Sequence, residues 1–172
     1  MQIKLSTLEN IPAIFELYDS ATSYQKTVNN KSWRGFEIAL IQQEIKENRH
    51  YVIWENDEVA CTFLVAFKNP TLWNDNGSDK AIYLHRIATN PNFRGRSYVQ
   101  KIADWAVIYA KENLLSFVRL DTHSGNERLN QHYIQCGFEY KGIISIEWTP
   151  DLPAHYQDGP FSLFELELDY PR

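Results

Sequence analysis

Apolar residues recur with two different periods along the chain, and these periods separate predicted strands from predicted helices. Runs rich in β-branched and aromatic residues, or alternating with polar ones, predict strands. The predicted strands are Gln2 to Leu5, His50 to Trp54, Val59 to Phe67, Ala81 to Thr89, Phe117 to Asp121, Glu139 to Trp148 and Ser162 to Asp169. Helical spacing predicts helices near Ile11 to Tyr18, Gly35 to Asn48, Val99 to Ala110 and Glu127 to Cys136.

Short polar signals mark where these elements begin and end. Ser6 and Glu9 have the spacing of a capping box, which favours a helix start at this point. Asn56-Asp57 separates two strands and predicts a hairpin, and Gly137 predicts a helix stop. Three segments are predicted to be irregular: Ser20 to Ser32, Asn69 to Asp79, and Thr149 to Pro160.

The predicted elements follow the order β-α-α-β-β-β-α-β-α-β-β. Hairpins together with helical crossovers predict a mixed α/β sheet of about seven strands, flanked on both faces by about four helices. The strand at Ala81, the helix from Val99 and the strand at Phe117 form one crossover unit, so these two strands are expected to be parallel and the connection right-handed.

Length and composition bound the class of protein. A chain of 172 residues suits one domain over positions 1–172 with a single core. The net charge of −5 argues against a general nucleic-acid binder. Cys61 and Cys136 lie far apart and near no histidine cluster, so we expect buried thiols and no metal site. No apolar run spans a bilayer and no signal peptide is visible, so we expect a cytoplasmic protein.

The segment from Asn92 to Val99 carries chemistry of its own. It joins a strand end to the start of a long amphipathic helix, where free amides and the helix dipole favour an anion. Arg94 and Arg96 add positive charge there, so a pyrophosphate is a plausible ligand. The alternative is a turn with two solvated arginines.

This loop resembles the acetyl-CoA loop of the GNAT superfamily of N-acetyltransferases, whose motif reads Arg/Gln-x-x-Gly-x-Gly/Ala. Arg94 matches the motif, whereas Ser97 replaces the central glycine and Val99 the final Gly or Ala. Glycine allows the backbone to approach a phosphate closely, so these replacements predict weaker or altered coenzyme binding.

A second segment, DTHSGNERLNQHYIQCGF from Asp121 to Phe138, is similar to a second GNAT pattern. The positions that match at the family spacing are Asn126, Leu129, Tyr133, Gly137 and Phe138. Asn126 lies at a predicted N-cap, and Tyr133 lies seven residues on, about two helical turns away.

The resemblance implies an N-acetyltransferase that uses acetyl-CoA and acts on a primary amine. It implies that Tyr133 protonates the leaving thiolate and that Asn126 contacts the coenzyme. The remaining coenzyme-binding positions that it implies are Ile87, Ala88, Thr89, Arg94, Gly95, Arg96, Ser97, Tyr98 and Val99. The strand residues Ile87, Ala88 and Thr89 would pair through their backbones with the pantetheine arm.

The base and the acceptor pocket are predicted from residue chemistry. His85 lies on the strand before the loop, and imidazole titrates near neutral pH, so it is the preferred base. Asp121, His123 and Glu147 are weaker alternatives. Trp33, Trp73 and Tyr83 are candidates to line a pocket for the amine acceptor, as are Phe36 and Trp148, although such aromatics also pack in cores.

Two other classes of function compete with this hypothesis. An acyl-CoA-binding sensor would keep the fold without the chemistry, and Ser97 and Val99 favour it. An interaction-only α/β module would require both motifs to be coincidences. A dinucleotide-binding protein is excluded because no GxGxxG opens the long helix. The apolar strand at Ser162 either completes the sheet or pairs across a homodimer.

Overall fold

The structure is a computed structural model that describes residues 1–28 and 31–169. Its strands are β1 (Gln2–Leu5), β2 (His50–Glu55), β3 (Glu58–Ala66), β4 (Ala81–Thr89), β5 (Phe117–His123), β6 (Glu139–Ile144) and β7 (Phe161–Glu167). Its α-helices are α1 (Ile11–Thr27), α2 (Ile38–Lys46), α3 (Pro70–Trp73), α4 (Tyr98–Glu112) and α5 (Glu127–Gln135).

The strands form a mixed sheet in the order β1-β2-β3-β4-β5-β7-β6, which confirms the predicted α/β class. Strands β4 and β5 are parallel, as the crossover unit requires. Strand β7 is antiparallel to both β5 and β6, so it completes the sheet internally. Within the described residues, no helix combines the length and hydropathy needed to cross a membrane.

The chain divides into two compact units. The first unit contains Met1–Val65 and His85–Tyr98, and the second contains Ala66–Leu84 and Val99–Arg172. Strand β4 therefore contributes its beginning to the second unit and its end to the first. The prediction of one domain over positions 1–172 stays a prediction.

In the first unit, α1 and α2 pack their apolar faces with β2 and β3. The core cluster consists of Ile14, Leu17, Tyr18, Ile41, Ile45, Val52, Val59 and Ala88. Strands β2 and β3 form the predicted hairpin, and both turn residues, Asn56 and Asp57, have positive φ of 53° and 61°. This backbone matches the twist of the two strands, and Asn and Asp tolerate it better than most residues.

In the second unit, the predicted stripe of α4 is largely buried. Ile102, Ala103, Ala106 and Ala110 are almost inaccessible to solvent, whereas Val99 and Val107 are partly buried. The core also contains Val118, Leu120, Phe138, Phe161 and Phe164. Cys61 in the first unit and Cys136 in the second are free and buried, as predicted.

Several predicted bounds are wrong, and the reasons are local. The segment from Ser20 to Ser32 is predicted to be irregular, but helix α1 continues through Ser20 to Thr27, because a polar sequence can still be helical. Asn29 and Asn30 of this segment lie outside the described residues. The cap lies at Thr7 rather than Ser6, since Asn10 accepts the Thr7 amide at 2.8 Å while the Ser6 hydroxyl bonds His50. The Asn69 loop contains α3, and β6 ends at Ile144 rather than Trp148.

Candidate functional site

The loop between β4 and α4 has the backbone of an anion site. Gly95 and Ser97 both have positive φ, 79° and 56°. Within the described residues, the amides of Gly95, Arg96 and Ser97 donate to no other protein group. A Cβ added to Gly95 would meet no atom within 4 Å, so the space beside this turn is open. Open amides and open space are what a phosphate group requires.

The two arginines of the loop differ in their environments. Arg96 forms an ion pair with Glu55 at 2.6 Å, and the Tyr98 hydroxyl donates to the same carboxylate. Arg94 lies over the Tyr24 ring at 4.5 Å and has no ion pair among the described residues. The Arg94 guanidinium is therefore the more available one for a ligand phosphate.

Strand β4 departs from regular pairing just before this loop. Its parallel register with β5 ends at Leu84 opposite Leu120, although both strands continue. Arg86 follows with a φ of 50°, which L residues adopt at a cost. Ile87 and Thr89 are partly exposed, whereas Ala88 is buried. The predicted pantetheine positions therefore lie beyond the β4–β5 pairing, and their role stays a prediction.

His85 is a partly buried residue of β4, next to the strained Arg86. Its position on the strand is the predicted one. Its assignment as the base stays a prediction.

Helix α5 in the second unit holds the other predicted residues. The Asn126 side chain accepts the Leu129 amide at 3.1 Å, which confirms the predicted N-cap. Tyr133 is half-buried, and its ring centroid lies 5.1 Å from that of Phe164 and 6.4 Å from that of Phe138. Burial and the neighbouring Asp121 carboxylate raise the pKa of Tyr133, so its phenol is protonated at neutral pH.

Asp121 of the second unit has a partly buried carboxylate. It lies on β5 opposite Leu163 of β7, and its Oδ1 atom is inaccessible to solvent, although the residue as a whole is partly exposed. Burial raises the pKa of Asp121 to about 7. Its charge also acts on Tyr133 and Tyr156. An acid that titrates near neutral pH beside two phenols is suited to proton transfer.

The aromatic residues predicted to line an acceptor pocket lie in two separate clusters. Trp33 packs against Tyr18 and Phe36 in the first unit, with ring centroids 5.6 Å from each. Trp73 and Tyr83 surround Arg119 in the second unit. Tyr83 is fully buried, and its hydroxyl donates to Asp75 at 2.5 Å. These contacts favour packing for Tyr83, and the pocket role of all three stays a prediction.

Several of these neighbours are not visible in the local sequence. Glu55 and Glu44 lie on β2 and α2 but bond Arg96 and Arg86, which follow more than 40 residues later. The sequence does not show whether the Asp121 carboxylate is exposed or buried, because its burial depends on the residues that β7 and α5 place around it. Within the described residues, no group of acidic, His and Cys residues has the arrangement of a metal site.

Comparison with known proteins agrees with this architecture. An uncharacterised N-acetyltransferase, YesJ of Bacillus subtilis, is 26% identical over 147 residues, which cover 76% of this chain and 81% of YesJ. A GNAT-family acetyltransferase of Listeria monocytogenes has a TM-score of 0.76 at 24% identity, covering 97% of this chain and 94% of that one. The yncA protein of Salmonella typhimurium, a putative acetyltransferase solved with its cofactor acetyl-CoA, has a TM-score of 0.70 at 14% identity, covering 100% and 96%.

The family that these relatives share defines the class of this protein, an acyltransferase. The model of the acetyltransferase (GNAT) family matches residues 11–138, and this chain belongs to that family.

Proposed function

We propose that this protein transfers the acetyl group of acetyl-CoA to a primary amine of a small molecule or peptide. The observation that carries the proposal is the loop from Arg94 to Tyr98, with three open amides, two positive φ angles and an available guanidinium. These features suit the pyrophosphate of a coenzyme A ester. A structural neighbour solved with acetyl-CoA supports the same ligand.

In this proposal the coenzyme positions follow the motif. Arg94, Gly95, Arg96, Ser97, Tyr98 and Val99 hold the pyrophosphate end, and Arg94 supplies the main charge because Glu55 neutralises Arg96. Ile87, Ala88 and Thr89 offer backbone groups to the pantetheine arm, while Asn126 contacts the coenzyme from the α5 cap. The coenzyme ester supplies an activated acyl carbon and a thiolate leaving group.

Direct attack requires one acid and one base. The amine nitrogen forms a bond to the acetyl carbon, the carbon–sulfur bond breaks, and the departing thiolate takes the proton of the Tyr133 phenol. The phenol meets the first requirement of an acid, since its raised pKa keeps it protonated.

A neutral amine attacks, so an acceptor that arrives as an ammonium ion must first lose a proton, and a base must take the proton that the nitrogen releases as the amide forms. His85 is the preferred candidate from the sequence. Among the weaker alternatives, Asp121 is supported by a pKa of about 7, which allows it to accept a proton near neutral pH. Variants distinguish the two candidates. Replacement of the true base by an amide side chain should remove the acidic limb of the pH profile of kcat/KM.

A panel of amines tests the proposed function. Purified protein is mixed with acetyl-CoA and with polyamines, aminoglycosides, amino acids and peptides, and the free thiol of coenzyme A is measured. We expect thiol release that depends on one class of amine. Acetyl-CoA binding without thiol release from any amine would instead identify a sensor, and no binding at millimolar acetyl-CoA would exclude both functions.

A further inference from the structure

Glu55, the last residue of β2, contacts the loop from Arg94 to Tyr98 on both sides of Ser97. Its Oε1 atom accepts a hydrogen bond from Arg96 Nη1 at 2.6 Å, and its Oε2 atom accepts one from the Tyr98 hydroxyl. The Glu55 side chain is 20% exposed. Hydrogen bonds to a carboxylate are stronger than those between neutral groups. One side chain of β2 therefore joins the residue before Ser97 to the residue after it.

Both partners of Glu55 are packed against the first unit. The Arg96 guanidinium lies 4.8 Å from the ring centroid of Phe93, and Phe93 is buried. Tyr98 is 3% exposed, so its phenol is covered by protein as well as bonded to Glu55. Because neither side chain is free to move with the solvent, the two hydrogen bonds restrain the backbone of the loop.

An irregularity in the β2–β3 hairpin precedes Glu55. The register of β2 with β3 shifts between Ile53 and Trp54, and Glu55 lies opposite Glu58 after the shift. Such irregularities redirect the side chains around them and are frequent beside functional sites. Glu58 is exposed and has no ion pair among the described residues, whereas Glu55 bonds the loop. The two glutamates are thus neighbours of equal charge that differ in their contact with the loop.

Ser97 is the residue of the loop that requires support. Its φ of 56° is costly for a residue with a Cβ, and such a conformation persists where the surrounding contacts enforce it. In this conformation the amides of Gly95, Arg96 and Ser97 donate to no protein group in the described part of the chain. The hydrogen bonds of Glu55 span the strained residue, so they are placed to enforce the backbone that leaves these amides open.

We infer that Glu55 is a positioning residue for the coenzyme: by bridging Arg96 and Tyr98 it holds Ser97 in the left-handed conformation that opens the loop amides to the pyrophosphate. Glu55 acts through the loop and does not contact the coenzyme, since its charge repels phosphate. A loop that already has the binding conformation loses no free energy to rearrangement when the ligand arrives. This inference deepens the proposed function and rests on it for the identity of the ligand.

A double-mutant cycle separates the positioning role of Glu55 from its charge. Removal of the carboxylate also frees Arg96 and ends a repulsion of phosphate, but these effects are the same whether residue 97 is serine or glycine. Calorimetry gives the acetyl-CoA Kd of the wild type, Glu55→Ala, Ser97→Gly and the double variant. Relative to its effect beside glycine, Glu55→Ala beside serine should weaken binding about fivefold more, because glycine adopts the left-handed φ unaided. Equal effects in the two backgrounds would overturn the inference.

The variant Tyr98→Phe removes one of the two hydrogen bonds without changing any charge at neutral pH. We expect it to raise the KM for acetyl-CoA about threefold and to lower kcat far less, because the loop positions the phosphates and not the reacting atoms. Glu58→Gln is the matched control, since it removes the neighbouring carboxylate that has no contact with the loop. A wild-type KM in Tyr98→Phe, or an equal rise in Glu58→Gln, contradicts the inference.

NMR of the protein without coenzyme tests the same inference through the conformation of the loop. The backbone carbon shifts of Ser97 and the coupling between its amide and Hα protons report its φ. Glu55→Ala should move Ser97 out of the left-handed region, whereas Glu58→Gln should not. A folded Glu55→Ala variant whose Ser97 retains the wild-type shifts and coupling would show that Glu55 does not hold the loop.

The proposed function fails separately from this inference. If the wild type does not bind acetyl-CoA, the acetyl-transfer proposal is wrong, and the NMR comparison still decides whether Glu55 holds Ser97. If the wild type binds and turns over acetyl-CoA but the double-mutant cycle shows no coupling, only the positioning role of Glu55 is wrong.

Discussion

Ser97 lies in left-handed backbone, with a φ of 56°, at a position where the family motif has glycine. The side chain is exposed, so the cost of this conformation is in the backbone rather than in packing. Gly95, two residues earlier, adopts the same region without that cost, at a φ of 79°. Gly95 therefore suits its backbone conformation, whereas Ser97 adopts its conformation at a cost in free energy.

Ser97→Gly should stabilise the protein by about 0.5–1 kcal/mol, because glycine adopts this φ without strain. Urea unfolding measures the change. Gly95→Ala is the matched control and should destabilise by a similar amount, since a Cβ there meets no neighbouring atom and only the backbone term acts. If Ser97 also limits the approach of phosphate, calorimetry of Ser97→Gly will show tighter acetyl-CoA binding, and unchanged affinity would refute that limit.

At the scale of single residues, sequence and structure agree where the signal is local. Asn126 is an N-cap and Gly137 ends α5 with a φ of 95°, because caps and stops depend on a few adjacent positions. The sequence motif does not show the strain at Ser97 or the capture of Arg96 by Glu55. The first depends on the exact path of a turn, and the second joins residues 41 positions apart.

At the scale of elements, α5 combines a structural cap with a proposed ligand contact in one residue. The Asn126 side chain accepts a hydrogen bond from the Leu129 amide. Asn130 of the same helix is buried, and the Tyr133 ring contacts Phe138 and Phe164. The cap and the coenzyme contact can be separated, because aspartate caps a helix as well as asparagine does but brings a negative charge.

Asn126→Ala should destabilise the protein by about 1 kcal/mol through loss of the cap, whereas Asn126→Asp should leave the free energy of unfolding nearly unchanged. If Asn126 also contacts the coenzyme, both variants bind acetyl-CoA more weakly, and Asp more so because it repels phosphate. Urea unfolding and calorimetry give the two quantities. Normal affinity in the Asp variant would limit Asn126 to capping.

The predicted elements match the structure best where hydrophobic periodicity is strong. Strand β4 has the predicted bounds of Ala81 and Thr89, and α4 buries most of its predicted stripe. The sequence does not predict the short helix α3, because Asn69-Pro70 is typical of a loop, although Asn69 caps the helix by accepting the Leu72 amide. The sequence does not predict the polar end of α1, because few apolar residues lie there.

At the scale of the whole molecule, burial in each unit shifts the pKa of a group that would otherwise be charged over part of the ordinary pH range, and in both units the shift favours the neutral form. In the first unit, burial together with the charges of Arg86 and Arg49 lowers the pKa of His50 to about 3. In the second unit, burial raises the pKa of Asp121 to about 7. Linkage then gives the two groups opposite effects on the pH dependence of stability.

His50 should destabilise the protein as the pH falls from about 6.5 toward 3, because the unfolded chain binds a proton that the folded His50 does not. The slope is at most ~1.4 kcal/mol per pH unit. His50→Gln should flatten the unfolding free energy between pH 6 and pH 5, although the loss of its bonds to Ser6 and Tyr18 lowers stability overall. An unchanged slope would show that His50 is protonated in the folded state.

Asp121 should destabilise the protein as the pH rises from 3.8 to about 7, because the folded state holds a proton that the unfolded chain releases. Asp121→Asn removes this effect, so the variant should be more stable than the wild type at pH 8 and nearly equal at pH 4. If Asp121 is the base, the same variant loses kcat. A variant with lower stability at pH 8 would contradict the raised pKa of Asp121.

The most direct test of the central claim compares turnover and binding in Tyr133→Phe. This change removes only the hydroxyl that we propose as the acid, while the ring keeps its contacts with Phe138 and Phe164. With an acceptor from the amine panel, we predict a decrease in kcat of about 10²-fold or more and an acetyl-CoA Kd within about threefold of the wild type. A variant with wild-type kcat would contradict the account.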